Sequence, residues 1–243
     1  MARYITANEI INQVCTEVGL VTNTDPVGST EDTYIQMTGL LTAAGQEFVE
    51  MNPWQILRSV YSINTGDGST AEYDLPDDFA YMIDQTGWNR TSQWPMVGPM
   101  SAQQWAYLEN TDLVNNTIWA SFRVFDNTMN LLPDPPPVNT DIQFEYINRN
   151  WVQEANDGAR RDTIGAGTDI VLYENILIKK FLKVKWLDAK GFDSTAARMD
   201  FDNIYSGRIG RDKGAPVLST SGGQGYPYLT MWGNAPWTGY GSP

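Results

Sequence analysis

The run DIVLYENILIKKFLKVKWLDAKG, residues 169–191, is apolar around more than half of a helical circumference. A helix with so wide an apolar face has to be covered on several sides. Its spacing predicts a helix from near Asp169 to Gly191, where the glycine closes it. Lys179 and Lys183, four residues apart, line the narrow strip that is left and read as a solvated face; with Trp186 they are candidate interface residues.

Partners for this helix can be found in the sequence. Thr6 followed by Glu9 reads as a capping box, and Ile10, Ile11, Val14, Cys15 and Val18 recur at spacings of three and four until Gly19. Ser29 is the expected cap of a second helix, in which Tyr34, Met37, Leu41, Ala44, Phe48 and Met51 form one stripe before Pro53 ends it. Asp193 or Ser194 caps a further helix to about Arg211, with Ala197, Phe201, Ile204 and Ile209 facing inward.

Between these helical ends the period changes. Leu57, Tyr61 and Ile63, the turn GDGS at 66–69 and the run 71–75 predict a hairpin. Further β-prone runs follow at 80–88, 117–125, 129–132 and 142–151, interrupted by a short helix from Ser101 to about Asn110. The expected fold is therefore α+β: a four-helix bundle formed by N- and C-terminal helices, an inserted mostly antiparallel β domain, and an extended C-terminal arm. Its parts are residues 1–53 and 166–214 for the bundle, 54–165 for the β domain and 215–243 for the arm. Two consecutive domains are the lower-ranked alternative, because they leave the first two helices short of partners.

Charge and composition remove whole classes of function. The 243 residues include one cysteine and no histidine, so neither an ordinary zinc site nor an imidazole-based triad is available. Cys15 falls on an apolar helix face and reads as a small buried hydrophobe. Residues 1–148 hold four arginines against nineteen carboxylates, and the net charge is −13. Only residues 149–214, with twelve basic against ten acidic side chains, approach a phosphate-binding composition. Generic nucleic-acid affinity is not expected. The start, MARYITANEIINQVC, mixes polar residues into its apolar ones and does not read as a signal peptide, and no apolar run spans a bilayer. A soluble protein made in the cytosol is expected.

Residues 215–243 carry six Gly, four Pro and no charged side chain, yet also Tyr226, Tyr228, Trp232, Trp237 and Tyr240. Disordered tails are ordinarily charged and poor in aromatics. Ordering ten such residues costs roughly 10–20 kcal/mol of backbone entropy. Burying each aromatic returns about 4–6 kcal/mol, from ~150–250 Å² at ~25 cal/mol/Å². The two are comparable, so the arm orders only where another surface covers its aromatics. These five residues are candidate interface residues, docking on a neighbouring subunit or another ring; folding back on the bundle is the alternative.

Other chemistry is set aside. Asp77 and Asp78 in LPDDF follow Pro76 and start a helical turn, where carboxylates favour exposed N–H groups. GDGST and GAGT lack the Gly-Lys-Ser/Thr ending of a P-loop and read as turns. Nine Trp and twelve Tyr can line a carbohydrate trough, which makes a glycan-binding or glycan-cleaving module the best enzyme or lectin alternative.

WPMVGPMSAQQW, residues 94–105, preceded by LPDDF and the Trp88 strand, resembles the head-to-tail adaptors of short-tailed bacteriophages, the tail tubular protein A-like family. Members typically show Trp-Pro-aliphatic-Val-Gly-Pro-aliphatic-Ser before a short helix ending in Trp. Pro95, Gly98 and Pro99 fit a rigid turn, Ser101 a helix cap, and Trp94 and Trp105 anchors to the sheet. NLLPDPP at 130–136, the Phe144, Tyr146 and Trp151 strand, and the helix from Leu172 through Lys185, Trp186, Ala189 and Lys190 to Gly191 are similar to later family segments. The resemblance covers residues 30–213 and leaves out the uncharged arm. It implies a non-enzymatic virion protein without cofactor, a dodecameric ring at the head–tail junction between portal protein and tail nozzle protein, with tail fibres a further possible neighbour. The helical part would face the portal and the β part the tail, and genomic DNA would pass through without sequence-specific binding, helped if acidic side chains line the lumen.

Overall fold

A computed structural model describes residues 4–110 and 121–212 of the chain. Among them the fold is α+β, with five α-helices and antiparallel sheets. The helices are α1 (Ala7–Val18), α2 (Asp32–Met51), α3 (Ala102–Glu109), α4 (Asn175–Lys190) and α5 (Thr195–Asp212). The strands are β1 (Arg58–Asn64), β2 (Glu72–Asp74), β3 (Phe79–Met82), β4 (Trp88–Asn89), β5 (Trp94–Pro95), β6 (Ser121–Phe125), β7 (Thr128–Leu132), β8 (Asp141–Asn148), β9 (Val152–Gln153), β10 (Arg160–Arg161) and β11 (Ile170–Val171). Residues fall into two units, one running to Arg58 and resuming at Ile147, the other containing Ser59–Tyr146.

In the first unit the helix ends are written locally. Thr6 Oγ1 accepts the Glu9 N–H at 3.3 Å while the Glu9 carboxylate accepts the Thr6 N–H at 3.2 Å, so two otherwise unpaired donors are satisfied reciprocally. Gly19 and Gly191 close α1 and α4 at φ of 76° and 73°, the left-handed conformation that costs glycine least. α4 packs against α1, α2 and α5, and its Leu177, Ile178, Phe181, Leu182, Val184 and Trp186 are buried. Phe48 of α2 is the centre of an aromatic group: Phe181 lies 5.0 Å away, Tyr173 5.2 Å, and Trp54 5.8 Å and nearly parallel.

Several details differ from expectation. α2 begins at Asp32, with Glu31 in the cap position; Ser29 instead accepts the Glu31 N–H and shapes the loop before it. Met51, at the end of the α2 stripe, is exposed. The helix expected from near Asp169 starts at Asn175, because Ile170 and Val171 form β11 on β9 and Ile170 bridges Thr6. A continuous apolar run does not distinguish strand from helix, and here it is both in turn. In α5 only Phe201 is buried; Ala197, Ile204 and Ile209 are half-buried.

The Asp169 side chain is turned into its own loop. Its Oδ2 accepts the Gly165 and Ala166 N–H groups at 2.9 and 2.8 Å, and Arg161 lies 3.7 Å off. The GAGT turn is thereby tied to the start of α1, since Asn8 N–H donates to the Gly167 carbonyl. Asn8 and Asn12 also hold the 23–28 loop, Asn12 through a reciprocal pair with Asn23 at 2.7 and 3.1 Å.

In the second unit the GDGS hairpin does not form. β1 pairs with β8 and β2 with β7, so the two runs belong to different sheets. The turn between them is held by a distant loop: Thr65 Oγ1 donates to the Pro137 carbonyl and accepts the Thr140 N–H. LPDDF makes a single turn, Phe79 N–H to Pro76 carbonyl, that leads into β3 and does not continue as helix. Phe122, Met129, Leu131, Ile142 and Phe144 lie at the centre of the core under these sheets.

Candidate interaction surfaces

The 94–105 segment is built as a turn that carries a helix. Trp94 and Pro95 pair with Asn89 and Trp88, and Val97 bridges Ser121. At Gly98 the backbone runs against the core: a Cβ there would lie 2.5 Å from the Phe122 carbonyl oxygen and 2.7 Å from its ring. Ser101 Oγ accepts the Gln104 N–H at 3.3 Å and the Gln104 side chain accepts the Ser101 N–H at 3.1 Å, a second capping box. α3 then has no buried side chain. Trp94 and Trp105 are half-buried, Tyr107 is 69% exposed and Val97 42%. The segment thus presents a short helix outward from a rigid base.

Lys179 and Lys183 are turned toward α1, where their ammonium groups lie 3.2 and 3.1 Å from the Glu17 carboxylate. Burial pushes the Glu17 carboxyl up, but the hydrogen bonds and charges of Lys183 and Lys179 outweigh it and hold the group below its ordinary value. A depressed carboxyl contributes stability above its unfolded-state pKa and loses it as the pH falls through the folded-state value. Glu17→Gln should therefore cost about 0.5–1 kcal/mol at neutral pH. The gap to the parent should close in acid, measured as urea midpoints at the two pH values; an equal gap at both would contradict the bridge.

Trp186 is buried, with Lys190 Nζ 4.5 Å from its ring centre. Five further basic groups of this region are ion-paired: Lys180 with Asp200, Lys185 with Glu47, Arg161 with Glu154, Arg198 with Asp188 and Arg208 with Glu174. Tyr226, Tyr228, Trp232, Trp237 and Tyr240 lie outside the described residues.

Cys15 is fully buried, and burial pushes its thiol up, away from a reactive thiolate. Tyr146 is pushed up to about 12 by burial and by Asp78, which accepts its hydroxyl at 2.8 Å. Among the described residues no cluster of three or more Cys, Asp or Glu could hold a metal ion, and no helix is long and apolar enough to cross a membrane.

The chain matches no protein-family model and no curated protein.

One cleft escaped the sequence reading. It measures about 310 Å³ and lies in the first unit, floored by Trp54, Tyr173 and Leu177, with Glu174, Arg208 and Asp212 around it. Arg208 is 2.8 Å from Glu174, and the Asp212 carboxylate accepts the Gln55 N–H at 3.0 Å. Its residues come from separate stretches near 4, 54, 173 and 210, so no spacing in the sequence announces it.

Proposed function

We propose that the protein is a head-to-tail adaptor of a short-tailed phage: a non-enzymatic subunit of a dodecameric ring that joins portal to tail nozzle and surrounds the exiting DNA. In this reading α1, α2, α4 and α5 act as a four-helix bundle, the β region is an insertion in it, and residues 215–243 are an arm that covers part of a neighbouring protein.

The observation that carries the reading is α3. An isolated helix of eight residues is unstable in water, and helical stability in proteins comes from packing. Here capping and the turn preorganise such a helix with no buried side chain and with Tyr107 exposed. That arrangement suits a contact completed by another chain. It is built on the same WPMVGPMSAQQW residues that resemble the adaptor family.

Charge supports passage of DNA rather than grip. Most of the basic side chains between 161 and 208 are engaged by carboxylates of the same chain, which leaves little to attract phosphates. An acidic channel wall would repel the genome as it exits.

The runner-up, a glycan-binding or glycan-cleaving module, needs aromatic rings open to a sugar. Among the described residues none of the six tryptophans is exposed: Trp54, Trp151 and Trp186 are buried and Trp88, Trp94 and Trp105 half-buried. The deciding experiment is negative-stain microscopy of the protein alone and mixed with its portal. Ring-sized particles, or an added ring on the portal, are expected; a solitary chain that retains cell-surface glycan would overturn the adaptor reading in favour of the runner-up.

A further inference from the structure

We infer that the cleft at Trp54 and Tyr173 is the receptor for the aromatic C-terminal segment, residues 226–240, of a second copy of this chain. The inference rests on the ring reading above and supplies the contact that links one copy to the next.

Two observations point to this occupant. The first is charge. Arg208 and Arg211 are balanced in the cleft by Glu174 and Asp212, in a chain whose net charge is −13. A charged ligand would break that balance, whereas residues 215–243 carry no charged side chain. The floor is aromatic and aliphatic, and the rim supplies guanidinium groups, which favour the faces of Trp and Tyr. A volume near 310 Å³ sits at the small end of ligand pockets and suits one or two ring side chains of an anchored strand, not a large ligand.

The second is where the chain leaves. Asp212, the last described residue, is itself on the cleft rim, and the first arm aromatic, Tyr226, follows it by fourteen residues. Extended, such a linker reaches up to about 45 Å, enough for an arm that starts beside one cleft to enter the equivalent cleft of a neighbour. Each copy then gives one arm and receives one, a heterologous contact that closes by rotation.

The test uses full-length protein with benzoylphenylalanine in place of Trp232 or Trp237, positions beyond the last described residue. Isotopically heavy and light chains are mixed before assembly, cross-linked by light and mapped by mass spectrometry. The expected result is heavy–light cross-links from the arm to the peptides holding Gln55, Ile56 or Arg211, several-fold above any other site. Cross-links confined to one chain, or landing away from the cleft, would overturn the inference. If rings form on the portal while cross-links map elsewhere, the cleft assignment alone fails. If arm and cleft cross-link between copies but nothing joins the portal, the adaptor reading alone fails.

Discussion

Gly45→Ala should lower the stability of the helical unit by about 2–3 kcal/mol, the upper range for overpacking a filled core. Intrinsic propensity predicts the opposite, since alanine in a helix interior is favoured over glycine by about 1 kcal/mol. Packing decides. A Cβ on Gly45 would lie 2.2–2.4 Å from the Trp151 indole. That indole is fully buried, stacked on Tyr173 at 5.8 Å, and donates through Nε1 to the Asp162 carbonyl at 2.9 Å. The Tyr173 hydroxyl returns a hydrogen bond to the Gly45 carbonyl at 3.0 Å. The ring therefore has little room to retreat, and moving it disturbs the floor of the cleft through Tyr173. Gly39, in the same helix with open space where its Cβ would go, is the matched control: Gly39→Ala should stabilise by up to about 1 kcal/mol. Denaturant midpoints and near-ultraviolet dichroism of the two variants provide the comparison. If Gly45→Ala proves as harmless as Gly39→Ala, the placement of Trp151 against α2 is wrong.

The contrast between these two glycines also shows what the sequence can carry. Features settled within four or five residues were legible: the capping box at Thr6, the helix cap at Ser101, the glycine stops at 19 and 191, the buried stripe from Tyr34 to Phe48, and the core position of Cys15. Each depends on side chains that reach only their own turn of backbone. Features settled by a distant partner were not. Glu72–Asp74 reads as the second arm of a hairpin until β7 takes it, and the run beginning at Ile170 reads as helix until β9 and Thr6 claim its first residues. Nothing near Gly45 in the sequence announces Trp151, about a hundred positions away. The same reasoning applies to the candidate surfaces. The 94–105 turn was visible because its glycine, prolines and cap are local, while the cleft assembles from four stretches with no common period. Lys179 and Lys183 were visible as a pair, but their partner Glu17 sits on another helix.

Gly98→Ala is the corresponding test of the β unit, with an expected loss of about 2–4 kcal/mol from overpacking plus one displaced backbone hydrogen bond. The added Cβ would meet the Phe122 carbonyl oxygen at 2.5 Å and its ring at 2.7–2.8 Å. Neither yields freely. That carbonyl accepts the Met100 N–H at 3.0 Å, the Phe122 N–H donates to the Val97 carbonyl at 3.1 Å, and the ring is 1% exposed within the core. Relief of the clash therefore either parts the 97–100 turn from β6 or pushes Phe122 out of its site. Ser101→Ala separates these consequences from simple loosening of α3: losing that cap should cost about 0.5–2 kcal/mol of helix stability without entering the core. Amide exchange distinguishes the variants. Gly98→Ala should lose protection in β6 and β7 as well as in α3, and Ser101→Ala in α3 alone. Because α3 is the element proposed to meet another chain, both should weaken ring formation, and only the first should lower the thermal midpoint substantially. Core protection in Gly98→Ala equal to that of the parent would show that the turn does not rest on Phe122.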